Sequence, residues 1–358
     1  MSSYALTTTS RSLGLPPADA LPRSRPHPAR TFRTPPPTGG SHYYPPAFIV
    51  YTSRVHELFV IVNPASANGS TARFWPRAEA ELRAAGLSFD WAATEGPLHA
   101  TALALHAAQQ GYARVMYVGG DGTANEVANG LLAAPVIARP ALAALPRGTG
   151  GDLPRALGLS RGVEAAIERL KRSRSRTIDV AATTFVGLDG AETRRYFVNV
   201  ADAGLGGVVA ERVNRGNKAL GGTISFLWAI IAGFFEFTNI PMTITVDGEV
   251  RHEGPVATAI VANGRFFGGG VKVAPFAHID DGLLDLIIVG DISKRDLLLN
   301  VPGMYNGRYV EHPKASVMTG REVLIEGDEP ILLDLDGEHP GRGPFHVWVE
   351  PGGLSVLV

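Results

Sequence analysis

One glycine-rich stretch, residues 118–126, constrains the fold of this chain more than any other part; it reads Val-Gly-Gly-Asp-Gly-Thr-Ala-Asn-Glu. It follows the apolar run 113–118, which predicts a buried strand, and precedes residues 127–133, which can continue as a helix. A glycine turn between a strand and a helix presents free backbone N–H groups at the helix start, and such groups suit a phosphate. Without a Cβ, the glycines let the backbone approach that phosphate closely. They are Gly119, Gly120 and Gly122.

Asp121 is the unexpected member of this turn, because a carboxylate beside phosphates is repulsive unless a cation or a proton transfer uses it. The stretch therefore predicts a nucleoside triphosphate bound with magnesium. Two common phosphate motifs are excluded, since no lysine follows the glycines and Asn125 stands where a dinucleotide fingerprint needs its third glycine. Taken alone, the glycines leave an ordinary tight turn between strand and helix as an open alternative.

Composition excludes several other classes of protein. The chain has 358 residues, enough for two domains, and 45% of them are hydrophobic, enough for a full core. The formal net charge of -1 gives no general attraction to nucleic acid, so no nucleic-acid partner is expected. Because the chain has no cysteine, disulfides, thiol catalysis and cysteine-ligated zinc are excluded, which fits a reducing cytoplasm.

Residues 1–54 differ from the rest of the chain. They are rich in proline, and Asp19 is their only acidic residue. Such a segment cannot bury a core, so we expect a disordered tail rich in proline and arginine. It lacks the long apolar run of a secretory signal, while an organelle transit peptide and an arginine-based membrane tether stay open as alternatives.

Strands and helices alternate from residue 56 onward. Apolar runs predict strands at 58–62, 88–93, 113–118 and 141–145, with helices between the first three. This βαβαβ pattern predicts an α/β domain with a parallel sheet and a ligand at the carboxyl ends of its strands. Beyond about residue 180 the pattern is mainly β. The apolar stretch 220–237 is just short of a membrane span and predicts a buried or lipid-facing helix.

Several motifs, in order, resemble those of the diacylglycerol kinase catalytic domain superfamily, which includes bacterial lipid kinases, sphingosine kinases and ceramide kinases. The Gly-Gly-Asp-Gly-Thr core at 119–123 matches its nucleotide motif, although NAD kinases and phosphofructokinases share that core. The loop 63–69 is similar to the family's first loop, with Ala67 in place of a glycine. Thr94 matches a family threonine near the nucleotide.

Three further motifs lie downstream. Residues 146–158 resemble the signature P-x-G-T-x-N-D-F-A-R-x-L-G, with Gly151 in place of the asparagine. Residues 277–289 resemble P-x-A-x-x-D-D-G-x-L-D-x-x-x-V, which NAD kinases and phosphofructokinases do not offer. Asp-Gly-Glu at 336–338 matches the family's motif before the last strands, where turn chemistry alone predicts a hairpin.

The resemblance implies two domains. Residues 55–180 would form a Rossmann-like nucleotide-binding domain of the NAD kinase and diacylglycerol kinase type. Residues 181–358 would form a β-rich sandwich, with the last strand or strands as candidates for a return to the first domain. The cofactors implied are ATP and Mg²⁺. The nucleotide-binding residues implied are Asn63, Thr94, Gly119, Gly120, Asp121, Gly122, Thr123, Ala124, Asn125, Glu126 and Thr149.

The resemblance also implies roles for particular residues. Asp121 and Asp152 would organise magnesium and the charge around it, and Glu338 would be the general base. For Asp152, a simple helix N-cap stays open as an alternative. A structural magnesium would be held by the Asp281 side chain and the main-chain carbonyls of His278 and Leu283, with a plain Asp-Gly β-turn as the alternative.

The function implied is that of an ATP-dependent lipid kinase, with diacylglycerol as the default lipid and phosphatidic acid as its product. We expect a cytoplasmic location with peripheral contact to the membrane, where the lipid substrate is the partner. An NAD kinase-like small-molecule kinase and a non-catalytic lipid-binding protein on a kinase fold are the alternatives. The identity of the lipid and the oligomeric state stay open, a homodimer included.

Overall fold

A computed structural model of the chain describes residues 57–148, 150–215 and 238–358. The expected tail, the predicted site residue Thr149 and the predicted apolar helix 220–237 lie outside these residues. The described chain belongs to one unit that runs from Ser53 to Val358. It is a mixed α/β structure with a β-rich second half, which confirms the predicted fold class.

The first half alternates strands and helices as the apolar runs predict. Its elements are β1 Leu58–Val62, α1 Ser70–Ala84, β2 Asp90–Ala93, α2 His99–Gln109, β3 Arg114–Gly119, α3 Asp121–Leu132, β4 Ala141–Pro146, α4 Asp152–Ala156 and α5 Val163–Arg172. The strands lie in the order β2-β1-β3-β4, and every pair among them is parallel. Their carboxyl ends therefore meet at one edge of the sheet, and so do the loops that follow them.

Helices cover both faces of this sheet because successive side chains of a strand point to opposite faces. Phe59 and Ile61 belong to a core cluster that includes residues of α2 and α3. Val60 and Val62 belong to a second cluster, which includes residues of α1 and α5. A strand buried on both faces has an unbroken apolar sequence, which is why β1 and β3 are easily predicted.

The second half consists mainly of antiparallel strands. Its elements are β5 Ser175–Gly187, β6 Glu192–Phe197, β7 Val200–Gly204, α6 Leu205–Arg215, β8 Ile240–Val246, β9 Glu249–Val256, β10 Thr258–Ala262, β11 Leu284–Val289, α7 Lys294–Asn306, β12 Ala315–Gly320, β13 Glu322–Glu326, β14 Leu333–Leu335 and β15 Gly341–Leu357. One sheet has the order β12-β11-β10-β7-β14. The remaining strands extend the sheet of the first half.

The long last strand connects the two halves of the chain. β15 pairs with β4 in parallel at Val356, and it pairs with β5 and β13 in antiparallel fashion. β5 spans residue 180, so the proposed domain boundary falls inside a strand, and its position stays a prediction.

Two differences from the sequence pattern have physical causes. Residues 196–200 have the apolar pattern of a single strand but are divided between β6 and β7, because the Asp336 carboxylate accepts the N–H groups of Val198, Asn199 and Val200. β9 is not predicted at all, since it lies at the edge of its sheet and most of its side chains are at least partly exposed.

Candidate active site

Two glycine turns meet at the carboxyl ends of β3 and β4. The backbone N–H of Arg147 donates to the carbonyl oxygen of Gly119 at 2.6 Å. A Cβ on Gly148 would lie 3.0 Å from the Cα of Gly120, so the two turns pack backbone against backbone. The N–H of Ala124 donates to the carbonyl of Gly120 at 3.0 Å, which closes the first turn of α3 directly after the glycines.

Asp121 joins the predicted phosphate turn, residues 118–126, to the second signature, residues 146–158. Its two carboxylate oxygens accept the backbone N–H groups of Gly151 at 2.7 Å and of Asp152 at 2.8 Å. Asp121 thereby satisfies the first N–H groups of α4, which have no partner within their own helix. A Cβ on Gly150 would lie 1.9 Å from the Asp121 carboxylate, so this arrangement requires glycine there. The role of Asp121 toward magnesium stays a prediction.

Asp152 is the first residue of α4, and its side chain does not cap that helix, so the simple N-cap interpretation is wrong. Its carboxylate accepts the N–H of Gly269 at 3.0 Å and pairs with the Arg155 guanidinium at 2.7 Å. Burial raises the pKa of the Asp152 carboxyl above its ordinary value, and the bond from Gly269 opposes that shift. Asp152 therefore ties the second signature to the loop around Gly269.

The remaining predicted nucleotide residues of the first two loops lie at the same edge of the sheet. The Asn63 side-chain amide donates to the Thr123 hydroxyl at 2.9 Å, which joins the loop after β1 to the start of α3. The N–H of Thr94 donates to the carbonyl of Val62 at 2.8 Å, directly after β2. A Cβ on Gly119 would lie 2.4 Å from the Thr123 hydroxyl oxygen, so this position also requires glycine.

Glu126 has a partner away from the glycine turn. Its carboxylate accepts the backbone N–H of Ala100 at 3.0 Å, at the start of α2, and its carbonyl accepts the Thr101 hydroxyl at 2.9 Å. Burial raises the pKa of Glu126 above its ordinary value. The structure thus gives this carboxylate a helix-capping contact, and its predicted nucleotide role stays a prediction.

Asp336 is a buried junction that sequence reasoning missed. Its carboxylate accepts the Asn125 side-chain amide at 2.8 Å, in addition to the three N–H groups that divide β6 from β7. The residue has a φ of 50° and Gly337 a φ of 93°, the values of a two-residue hairpin turn. The Asp-Gly pair signals the turn but gives no sign of these distant partners.

Glu338, the predicted base, directly follows this turn and lies beside the phosphate turn. Its Oε2 accepts a bond from the Arg195 guanidinium at 3.0 Å. Its Oε1 lies 3.3 Å from the position that a Cβ on Gly122 would occupy. The side chain keeps 33% of its surface exposed, so a substrate hydroxyl can reach it. Two motifs far apart in the sequence thus come into contact.

The predicted structural magnesium site lies in the turn before β11. Asp281 accepts the N–H of Leu283 at 3.1 Å, and the Asp179 carboxylate accepts the N–H of Gly282 at 2.7 Å. Burial, followed by the charge of Asp281, raises the pKa of Asp285 to about 6, and a bound cation would relieve that repulsion.

The donors at this turn fit a hard cation only in the predicted form, one carboxylate with main-chain carbonyls and water. Across residues 57–358, with the gaps noted above, no three His, Asp or Glu side chains are grouped for a metal ion. The carbonyls of His278 and Leu283 belong to residues of this turn, and the site stays a prediction.

An apolar cavity of about 290 Å³ lies beside the turn that carries Glu338, the predicted base. Aliphatic and aromatic side chains from β7, β10, β11, α6 and α7 form most of its wall, and Gly337, the neighbour of Glu338, lines it as well. The cavity therefore reaches the turn that carries the base.

Two buried carboxyl groups, Asp202 and Asp334, form a polar part of the cavity wall and are direct partners on adjacent strands. Burial raises the pKa of Asp202 to about 6, although the Thr258 hydroxyl donates to it at 2.6 Å. Burial and the nearby Asp202 raise the pKa of Asp334 well above its ordinary value. Desolvation and repulsion thus favour a proton on this pair.

Two family models match the chain. The diacylglycerol kinase catalytic domain matches residues 57–183, and the YegS C-terminal NAD kinase beta sandwich-like domain matches residues 199–358. These matches agree with the motif order and cover nearly all of the described chain.

Known proteins give a similar result. A diacylglycerol kinase of Staphylococcus carnosus (strain TM300) is 28% identical over 285 residues, which is 80% of this chain and 89% of that protein. A diacylglycerol kinase of Staphylococcus aureus (strain MRSA252) is 29% identical over 288 residues, 80% of this chain and 87% of that protein.

A crystal structure of a diacylglycerol kinase from Bacillus anthracis (strain Sterne) has a TM-score of 0.62 at 21% identity. The match covers 84% of this chain and 96% of the Bacillus anthracis chain. This likeness shows the fold. In the part of the chain that the structure describes, none of the helices combines the length and apolar character needed to span a bilayer.

Proposed function

We propose that this chain, which carries a diacylglycerol kinase catalytic domain at residues 57–183, is a kinase that transfers the γ-phosphate of ATP to a lipid hydroxyl. The contact between the two far-separated motifs carries this proposal. Glu338 Oε1 lies 3.3 Å from the Cβ position of Gly122, in the middle of the phosphate turn. A base at that place can reach a hydroxyl that attacks a phosphate held by the turn.

The apolar cavity supports a lipid as the acceptor. Gly337, the neighbour of Glu338, is among the residues that line it, so a hydrocarbon chain inside the cavity can place its polar end near Glu338. Each methylene buried there would contribute about 0.8 kcal/mol to binding, which favours a long alkyl or acyl chain over a small polar acceptor such as a nucleotide.

The reaction follows from the placement of these groups. The N–H groups at the start of α3 hold the phosphates, and Glu338 Oε1 takes the proton of the lipid hydroxyl. The oxygen then forms a bond to the γ-phosphorus, the bond to the bridging oxygen breaks, and ADP leaves. Magnesium, when bound with ATP, would neutralise charge on the phosphates near Asp121 and Asp152.

Diacylglycerol is the lipid that we propose, with phosphatidic acid as the product. The relatives from Staphylococcus are named diacylglycerol kinases, and they match across most of this chain. Such a lipid resides in a membrane, so we propose that the protein acts in the cytoplasm with peripheral contact to the bilayer. The buried pair Asp202 and Asp334 adds a polar patch to a cavity wall that is otherwise suited to hydrocarbon.

The test is a panel of acceptors with labelled ATP and Mg²⁺ in mixed micelles. The panel contains diacylglycerol, monoacylglycerol, ceramide, a sphingoid base and NAD. We expect label in diacylglycerol above all other acceptors. Label in another lipid would correct the substrate but keep the reaction, whereas label only in NAD, or in none of the acceptors, would overturn the proposal.

A further inference from the structure

Arg195, on β6, contacts the two motifs of the site at once. One guanidinium nitrogen, NH2, lies 3.0 Å from Glu338 Oε2 and 3.2 Å from the Asn125 side-chain oxygen. Only 18% of the Arg195 side chain is exposed. The arginine thereby joins the predicted base to α3, the helix that follows the phosphate turn.

The backbone around Arg195 is fixed to the same helix. The Asn129 side-chain amide donates to the carbonyl of Tyr196 at 2.9 Å, and its oxygen accepts the N–H of Tyr196 at 2.9 Å. On its other side, Arg195 is paired with Thr183 of β5. The guanidinium therefore starts from a backbone whose position relative to α3 is set by hydrogen bonds.

This contact gives the two carboxylate oxygens of Glu338 different surroundings. Oε2 is bound by Arg195, while Oε1 faces Gly122 and is the oxygen available to a substrate. A free glutamate side chain would sample several rotamers, and most of them would turn the carboxylate away from the phosphate turn. Holding one oxygen limits the other to the direction in which the reaction needs it.

We propose that Arg195 is a positioning residue for phosphoryl transfer, which holds the Glu338 carboxylate against α3 with one oxygen bound and the other directed at the phosphate turn. This inference rests on the proposed function of Glu338 as the base. An exposed ion pair would contribute little to stability, because water and salt screen its charges. Arg195 differs because its side chain is largely buried and has Asn125 as a second partner besides Glu338.

The test is a double-mutant cycle between Arg195 and Glu338. Arg195→Ala should lower kcat by about 10- to 100-fold through misplacement of the base, with the Kd for ATP unchanged. Arg195→Lys, or added guanidinium, should recover part of the loss. In the Glu338→Gln protein the same substitution should have little further effect, because the base on which Arg195 acts is absent.

Arg194 provides the matched control. It lies next to Arg195 on β6 but pairs with Glu350 at 2.8 Å, and 51% of its side chain is exposed. Arg194→Ala should leave kcat within about twofold of the unmodified protein, as expected for a surface substitution. Arg195→Met retains the aliphatic stem and serves if the alanine variant fails to fold.

Each outcome decides the matter. The proposal is overturned if Arg195→Ala costs the same factor with and without Glu338, if it costs less than the Arg194 control, or if every Arg195 variant is unfolded.

ATP hydrolysis without lipid is measured in parallel, since Glu338 would also deprotonate water. If no lipid is phosphorylated but ATP hydrolysis shows the expected coupling between Arg195 and Glu338, the proposed lipid kinase function is overturned and the role of Arg195 is kept. Absence of both activities would overturn both.

Discussion

The acidic residues of this protein differ in role according to their surroundings. Glu338 is partly exposed and has one oxygen facing the phosphate turn, whereas Asp336, two positions earlier, is buried among N–H donors. Asp121 and Asp152 join neighbouring loops, since Asp121 accepts the backbone N–H groups of Gly151 and Asp152, and Asp152 accepts that of Gly269. Resemblance predicts different roles for Glu338, Asp121 and Asp152, but the buried hydrogen bonds of Asp336 are found only in the folded structure.

Replacement of Asp336 by alanine should destabilise the fold strongly. It would leave the Asn125 amide and the N–H groups of Val198, Asn199 and Val200 without their acceptor. Because each unsatisfied buried donor costs about 1–3 kcal/mol, we expect a loss on the order of 3 kcal/mol or more in urea unfolding. Asp189→Ala, in an exposed turn, is the control and should cost under about 1 kcal/mol. Equal losses would contradict the assignment.

Asp202 gives a pH-dependent prediction. Its folded pKa of about 6 exceeds the unfolded value of about 3.9, so the native state keeps a proton that the unfolded chain releases. The stability from this group is therefore present below about pH 4 and is lost as the pH rises through about 6. Asp202→Asn should raise Tm at pH 8 but not at pH 4. The corresponding increase in the free energy of unfolding at pH 8 is on the order of 3 kcal/mol at most. An equal shift at both pH values would contradict this account.

At the scale of elements, the loops after β3 and β4 act as one unit. Gly150→Ala would bring a Cβ to 1.9 Å from the Asp121 carboxylate and so break its bonds to the start of α4. We expect ATP affinity to fall about tenfold or more, because one to two hydrogen bonds to a charged group are lost. Calorimetry measures this affinity. Gly96→Ala, which meets no atom within 4 Å, is the control. Unchanged affinity in Gly150→Ala would show that the two loops act separately.

The turn before β11 gives a prediction about metal. If Asp281 holds a magnesium ion, Mg²⁺ should raise the Tm of the unmodified protein, because a ligand of the native state stabilises it. Asp281→Ala should abolish that shift. Asp280→Ala is the matched control, since Asp280 pairs with Arg176 on the surface and should leave the shift intact. A Mg²⁺ shift that persists in Asp281→Ala would place the ion elsewhere.

Elements were predictable from sequence where burial acts on contiguous residues. β1, β3 and β4 are unbroken apolar runs, and the glycine turn after β3 marks both a strand end and a helix start. β9 and the division between β6 and β7 were not predictable, because an edge strand has no continuous apolar face and the division depends on Asp336.

The site shows the same limit. Asp121 and the glycines were found from local pattern, while Glu338 was found through resemblance. The contacts of Arg195 join residues that no local pattern connects, so they could be found only in the folded structure.

At the scale of the whole molecule, the site depends on both halves of the chain. The phosphate turn comes from the α/β half, and Glu338, the proposed base, comes from the hairpin between β14 and β15. β15 pairs with β4 as well as with β13, so one strand fixes the position of the hairpin relative to the phosphate turn. The apolar cavity is lined by Gly337 of the same hairpin, next to Glu338.

The proposed role of Glu338 is to remove the proton of a lipid hydroxyl beside the phosphate turn. Steady-state transfer from ATP to diacylglycerol in mixed micelles, compared between the unmodified protein and Glu338→Gln, measures that role. We predict that the variant keeps its Kd for ATP and loses about 10²- to 10⁴-fold in kcat. A variant that transfers phosphate at a rate near that of the unmodified protein would contradict the account.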